Sequence, residues 1–116
     1  TISGIGVLTR AVFGVMREQE GIRKIIFDTA KEMVAVANAK GIGLSANDVQ
    51  KIMDIIDSLD YNTTASMQRD MMEGKPSELE NFNGYIVAQG KLLGIEVPTN
   101  AFTYNCLLPQ ELKARH

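Results

Sequence analysis

The chain has 116 residues, of which 45% are hydrophobic and 22% charged, and its formal net charge is −2. These values predict one globular domain that can bury a core without disulfides or metals. Acidic and basic residues are interleaved, so the sequence offers no basic stripe for nucleic acid. No apolar run approaches the roughly 18 residues that a membrane span requires. The chain begins without Met and inside an apolar periodic segment, which suggests a piece of a longer protein.

Metal and thiol chemistry find little support in the sequence. Cys106 is the only cysteine, and the last residue, His116, is the only histidine. An intrachain disulfide is therefore impossible, metal-ligand spacing is absent, and the cytoplasm is the default compartment. Cys106 has apolar neighbours in FTYNCLLPQ, which favours a buried, inert thiol over a nucleophile.

The first half of the chain predicts helices. GIGVLTRAVFG contains glycines, but no strand precedes it, so it does not fit a phosphate-binding loop. A long amphipathic helix is predicted from about 18 to 40, ending before Gly41. Its expected inner face is formed by Ile22, Ile26, Thr29, Met33 and Ala37. Ser45 and Asp48 fit a capping box that starts the next helix, with Val49, Ile52, Met53 and Ile56 facing inward.

A third helix is predicted from about Thr64 to Glu73, with a stop at Gly74. Met67 and Met71 would then face the core, while Ser66 and Asp70 share another face. This polar face is explained either as an outer helix face exposed to solvent or as one wall of a binding site.

Pro76 and the capping-box pattern of Ser77 and Glu80 predict a further helix start. The residues expected to be buried in this helix are Leu79, Phe82, Ile86 and Leu93. Gly84 and Gly90 each cost a helix about 1 kcal/mol relative to alanine, which predicts close packing against a neighbour or against a ligand. Gly94 should end this helix, and Pro98 with Thr99 should begin the last one, with Phe102, Leu107 and Leu108 inward. The fold class is therefore all-α, with five or six helices.

Glu78 is the carboxylate with the most informative position. If Ser77 caps the helix, the positive end of the helix dipole favours the ionised form of Glu78. One explanation of a glutamate at this position is ordinary charge complementarity in the first turn of a helix. The other is a fixed anion that orients a cationic lysine. Periodicity alone leaves both explanations open.

The segment SMQRDMMEGKPSELENFNGYIVAQGKLLGIEVPTN resembles the C-terminal signature of the ketopantoate reductase (2-dehydropantoate 2-reductase) family. LTRAVFGVMRE is similar to the start of that domain, so the resemblance covers nearly the whole chain. The matching positions are Ser66, Met67, Asp70, Gly74, Ser77, Glu78, Leu79, Glu80, Asn83, Gly84, Gly94, Pro98 and Asn100.

The resemblance implies an all-α C-terminal domain, similar to that of 6-phosphogluconate dehydrogenase, spanning residues 1–116. It further implies a missing N-terminal Rossmann domain that binds NADPH, and reduction of ketopantoate to pantoate in pantothenate and coenzyme A biosynthesis. The family's lysine, which precedes the ISGIGVLTR segment, is also absent. Ser3 stands where the family often has an asparagine, which leaves a substrate role for Ser3 in doubt.

The resemblance assigns two site residues. Ser66 matches the serine that hydrogen-bonds the substrate carboxylate, and Glu78 matches the catalytic glutamate that interacts with the lysine and with the reacting end of the substrate. Asp70, Asn83 and Gly84 match positions interpreted as structural, with Asn83 expected to bond backbone. No residue is expected to bind cofactor or metal.

Two functions follow. The first is a cytoplasmic reductase fragment, inactive alone and self-associating as a homodimer, acting on ketopantoate or another 2-ketoacid. The alternative is a non-enzymatic helical interaction or dimerisation module that retains the fold. The gene upstream of Thr1 discriminates between them, because only the enzyme requires G-x-G-x-x-G followed by Lys-x-x-x-Asn.

Overall fold

A computed structural model describes residues 2–115 of the chain. The described part holds seven α-helices and one π-helical turn, and no strand. The helices are α1 (Ser3–Thr9), α2 (Phe13–Glu18), α3 (Glu20–Ala39), α4 (Ala46–Ser58), α5 (Ser66–Met72), α6 (Tyr85–Leu93) and α7 (Pro98–Arg115), with the π-turn at Glu80–Gly84. The all-α prediction is confirmed. The predicted count of five or six helices is too low, because the N-terminal segment divides into two short helices.

Helix α3 begins at Glu20, later than predicted, because Gln19 is extended with ψ 114° and separates α3 from α2. Helix α3 packs against α2, α4, α6 and α7, so it is covered from several sides. Of the predicted inner face, Ile26 and Thr29 are buried, whereas the remaining members are only partly buried: Ile22, Met33 and Ala37. Helix α3 therefore has a broader contact surface than one amphipathic stripe.

The joint between α3 and α4 follows its sequence signals. Gly41 has φ +86°, the left-handed conformation predicted for a residue after a helix end. The Ser45 hydroxyl accepts the backbone N–H of Asn47 at 3.2 Å, and the backbone N–H of Ser45 donates to the Asp48 carboxylate at 2.7 Å. The capping box is thus confirmed. Of the residues expected on the inner face of α4, only Ile52 is partly buried, and the others are buried.

Loss of this cap should measurably destabilise the chain. Ser45→Ala is expected to lower the free energy of unfolding by about 1 kcal/mol, since it leaves an N-terminal donor of α4 without its acceptor. Urea unfolding followed by circular dichroism measures this. Ser58→Ala is the control, because Ser58 lies at the other end of α4 and its hydroxyl donates to a carbonyl within the same helix. Equal effects of the two substitutions would contradict the capping argument.

Two buried clusters organise the part of the core that matters for the site. One comprises Ile2, Ile5, Phe13, Met16, Ile26, Met53 and Ile56. The other, called here the Leu107 cluster, comprises Val7, Met67, Met71, Leu79 and Leu107. Helix α1 contributes to both clusters and packs against α5 and α7. The predicted inward orientation of Met67 and Met71 is confirmed.

Helix α7 differs from the prediction in its register. Its buried face comprises Asn100, Thr103, Leu107 and Glu111, which are three or four residues apart. Leu107 is fully buried as predicted, but Phe102 lies one position before Thr103 and is 67% exposed. Cys106 precedes Leu107 and is also exposed, so the prediction of a buried thiol is wrong. Leu108 is only partly buried.

The segment before α7 is also partly mispredicted. Leu79 and Ile86 are buried, but Phe82 is 42% exposed, because the neighbouring Asn83 and Gly84 occupy the buried face instead. Gly90 confirms the close-packing prediction, since a Cβ there would lie 2.8 Å from the backbone oxygen of Ile95. Gly94 has φ +70° and ends α6 as predicted. No helix in the described range is long and apolar enough to cross a membrane.

Candidate functional site

Ser66 is the first residue of α5 and lies at the protein surface. The helix starts there because Ala65 is extended, with ψ 152°, and Met67 and Met71 are drawn into the Leu107 cluster. Within residues 2–115 the Ser66 hydroxyl makes no hydrogen bond, so it can donate to a ligand. Asp70, one turn later, is half-buried.

The chain leaves α5 through Gly74, whose φ is +73°, and reaches Ser77 after Pro76. Ser77 is held by the last helix. Its backbone N–H donates to both carboxylate oxygens of Glu111, at 2.9 and 3.1 Å, and its hydroxyl donates to one of them at 2.6 Å. Arg115 donates to the Ser77 carbonyl at 3.1 Å. Ser77 is therefore fixed through every polar group it has.

Glu78 lies between two buried residues, yet its own side chain is exposed. Ser77 precedes it, and Leu79, which is fully buried, follows it. The first helical hydrogen bonds of the following turn are accepted by the carbonyl of Glu78, from the N–H groups of Asn81 and Phe82, both at 3.0 Å. Within residues 2–115 the Glu78 carboxylate has no ion pair or hydrogen bond. The structure thus presents a carboxylate at a helix start, on a rigid backbone, facing solvent.

Ser66 and Glu78 belong to segments that share one core. Met67, next to Ser66, and Leu79, next to Glu78, are members of the same Leu107 cluster. Leu107 itself comes from α7, the helix that also holds Ser77. This packing ties both segments to α7 and limits their relative movement.

The predicted capping box at Ser77 and Glu80 forms only in part. The Ser77 hydroxyl accepts the N–H of Leu79 at 3.2 Å, as an N-cap should. The carboxylate that accepts the Ser77 N–H is that of Glu111, however, because Glu80 instead accepts the Tyr104 hydroxyl at 2.6 Å. This hydrogen bond and, to a lesser extent, burial raise the pKa of Tyr104 above its ordinary value.

The π-helical turn begins at Glu80, two residues after Glu78. It is defined by the N–H of Gly84 donating to the carbonyl of Leu79, five residues back, at 3.0 Å. Single π-turns inside helices occur frequently at functional sites. A Cβ at Gly84 would lie 3.0 Å from the Tyr104 ring, so the predicted close packing at this glycine is confirmed.

A buried polar network supports the π-turn from behind. The Asn83 amide donates to the Asn100 side chain at 3.0 Å, so the expectation that Asn83 bonds backbone is wrong. The Asn100 amide donates to Glu32 at 2.9 Å, and the same carboxylate accepts the backbone N–H groups of Thr99 and Asn100, both at 2.9 Å. Glu32, from α3, therefore caps the first turn of α7 and anchors the asparagine pair.

Ser3 lies in the wall of a cavity of about 420 Å³. The cavity is lined mainly by apolar side chains from α3, α4 and the π-turn region, together with Asn81, Asn83 and Asn100. Ser66 and Glu78 do not line it. Ser3 is half-buried and begins α1. The position that the family resemblance left in doubt thus lines a cavity whose wall includes neither Ser66 nor Glu78.

Sequence reasoning missed Glu111, the buried acid that holds Ser77. The sequence does contain a signal for this role, because Glu111 follows Leu107 by four residues and precedes Arg115 by four. Fully buried acids are rare unless they are paired, so a glutamate on an apolar helical face with an arginine one turn later indicates a structural partner. The role of Glu32 carried no comparable local signal, because its partners lie 67 and 68 residues further along the chain.

Comparison with known families gives one match over nearly the whole chain. The family model described as "Ketopantoate reductase PanE/ApbA C terminal" matches residues 1–111. A curated relative, the 2-dehydropantoate 2-reductase of Pyrobaculum aerophilum, is 26% identical over 110 residues, which are 95% of this chain and 39% of that protein. The chain therefore spans less than two fifths of this relative.

Solved structures with the same fold agree with this match. The PanE/ApbA family ketopantoate reductase of Ralstonia eutropha JMP134 is 30% identical, with a TM-score of 0.86 over 98% of this chain and 38% of that one. The dimeric ketopantoate reductase of Staphylococcus aureus is 23% identical, with a TM-score of 0.91 over 97% of this chain and 39% of that one. The second comparison bears on the fold alone.

Proposed function

The chain belongs to the ketopantoate reductase PanE/ApbA C-terminal family, and we propose that it is the substrate-side domain of an NADPH-dependent 2-dehydropantoate 2-reductase. The observation that carries this proposal is the family match over residues 1–111. The parent protein, as the term is used below, is this chain joined to its proposed N-terminal Rossmann domain. The parent reduces ketopantoate to pantoate, in pantothenate and coenzyme A biosynthesis.

Ser66 and Glu78 have separate tasks in this proposal. The Ser66 hydroxyl donates a hydrogen bond to the carboxylate of the ketoacid and so fixes its orientation. The Glu78 carboxylate holds the ammonium group of a lysine from the upstream segment beside the keto oxygen. Both tasks require polar groups that are exposed and without partners in this domain, which is what residues 2–115 provide at these two positions.

The nicotinamide cofactor belongs to the other domain in this proposal. Residues 2–115 contain no strand, so they do not provide the strand–turn–helix unit that binds a dinucleotide pyrophosphate. When bound, NADPH supplies the hydride for the keto carbon. What this chain contributes is one wall of the cleft and the groups that orient substrate and lysine.

We place the parent in the cytoplasm, in agreement with a chain that has one exposed cysteine and no disulfide. We further propose a homodimer, since a ketopantoate reductase of the same fold is dimeric. Large apolar side chains at the surface, among them Leu92 and Phe102, give this domain apolar area for contact with its own N-terminal domain or a second copy.

An activity assay on two forms tests the proposal. The chain alone is expected to show no turnover with NADPH and ketopantoate, because hydride transfer requires the cofactor held against the keto carbon. The parent is expected to oxidise NADPH when ketopantoate is added, followed as loss of absorbance by the reduced nicotinamide. Turnover by the chain alone would contradict the division of labour. If the parent reduces only other 2-ketoacids, one of these is the substrate instead of ketopantoate. An inactive parent would favour the alternative of a helical interaction module.

A further inference from the structure

The clamp on Ser77 consists of two residues of α7, Glu111 and Arg115. Glu111 accepts hydrogen bonds from the backbone N–H and the hydroxyl of Ser77. Arg115 donates to the carbonyl of Ser77 and, through its Nε at 3.0 Å, to the carboxylate of Glu111. The pair therefore grips the residue before Glu78 on both sides of its backbone.

The burial of Glu111 makes this arrangement specific. Its side chain is 1% exposed, whereas that of Arg115 is 50% exposed. A buried carboxylate is tolerated only when its oxygens are paired and hydrogen-bonded. Both oxygens of Glu111 meet these conditions, and apart from Arg115 every donor belongs to Ser77. The burial of this charge thus serves one residue of the chain, the one adjacent to Glu78.

We propose that Glu111, assisted by Arg115, is a positioning residue that fixes the backbone of Glu78 at the edge of the substrate cleft. This inference rests on the proposed function, because it acts through Glu78. The clamp holds the backbone on the N-terminal side, and the burial of Leu79 holds it on the C-terminal side. Only the Glu78 side chain remains free to adjust, which limits the positions its carboxylate can take toward a lysine.

Glu111→Gln in the parent is the principal test. Glu111→Gln removes the negative charge that strengthens the hydrogen bonds from Ser77 and Arg115, and it leaves one acceptor oxygen where there were two, so the clamp loosens. The expected result is a fall in kcat of about 10- to 100-fold, the size of effect that misplacement of a reacting group produces. The KM for NADPH should stay unchanged, because the cofactor is held by the other domain. Steady-state kinetics measure both values.

A double-mutant cycle separates positioning from general stability. If Glu111 acts through Glu78, Glu111→Gln should cause no further loss of kcat in a parent that already carries Glu78→Ala. Asp48→Asn is the matched control, because it also converts an acid to an amide and breaks a hydrogen bond at a helix start, but in α4. This control should leave kcat at the wild-type value.

The kinetics of the Glu111 and Glu78 variants distinguish the positioning role of Glu111 from the role of Glu78. Wild-type kcat in a folded Glu111→Gln parent would overturn the positioning role while leaving the proposed function intact. The same conclusion would follow if Glu111→Gln lowered kcat as much in the Glu78→Ala parent as it does in the wild-type parent. Wild-type kcat in Glu78→Ala would show instead that the role of Glu78 itself is wrong. If Glu111→Gln does not fold, Ser77→Ala removes only the hydroxyl and should lower kcat severalfold, with Ser77→Thr restoring it. No loss in Ser77→Ala, or no rescue by threonine, would overturn the positioning role as well.

Discussion

Replacement of Glu78 by alanine in the parent is expected to lower kcat for ketopantoate reduction by about 100-fold or more, the range for loss of one preorganised electrostatic partner at a reacting centre. The physical reason is that the exposed carboxylate of Glu78 is held on a rigid backbone and has no other task within residues 2–115. Binding of NADPH should be largely retained, which a fluorescence titration of the reduced cofactor measures.

Glu73→Ala provides the matched control for this change. Glu73 is an exposed acid five residues earlier, and its partner is the exposed Lys75 at 2.7 Å. The substitution removes the same charge from the same region, so a general electrostatic effect would appear in both variants. Equal losses of kcat in the two variants, or none in Glu78→Ala, would count against a specific role for Glu78.

The second large effect is expected on stability. Leu107 is fully buried in the cluster that joins α1, α5, α7 and the segment around Leu79. Leu107→Ala should lower the free energy of unfolding by about 3 kcal/mol, since it removes buried methyl groups and leaves a cavity. Urea unfolding of the chain measures this change.

Leu112→Ala tests the same substitution at an exposed position of the same helix. Leu112 is 49% exposed, so its replacement should change the free energy of unfolding by only about 0.5 kcal/mol. The two variants share the effect of alanine on helix propensity, and their difference therefore reports burial. Similar effects of both would contradict the assignment of Leu107 to the core.

Local signals in the sequence predicted much of the fold. Gly41, Gly74 and Gly94 all have positive φ and follow helix ends, as expected for residues without a Cβ. Ser45 and Asp48 form their capping box. Such features depend on a few neighbouring residues, so one sequence is enough to identify them. The family motif was also local, and the match over residues 1–111 confirms the membership it indicated.

The features that were missed depend on distant packing. Phe102 was expected inside, but α7 turns Asn100 and Thr103 inward because Glu32 and Thr29 of α3 accept hydrogen bonds from the Asn100 amide. Polar partners far along the chain thus decided the register against hydrophobicity. The cap at Ser77 was mispredicted for the same reason. The carboxylate that accepts the Ser77 N–H belongs to Glu111, which lies 34 positions further along the chain, and not to the nearby Glu80.

The most direct measurement is a crystal structure of the parent with ketopantoate and oxidised NADP bound. The account predicts the Ser66 hydroxyl within hydrogen-bond distance, about 2.6–3.2 Å, of the ketoacid carboxylate. It also predicts the Glu78 carboxylate at a similar distance from the ammonium group of the upstream lysine. A ketoacid bound elsewhere, or Ser66 and Glu78 facing opposite sides of the domain, would contradict the proposal that these two residues form one substrate cleft.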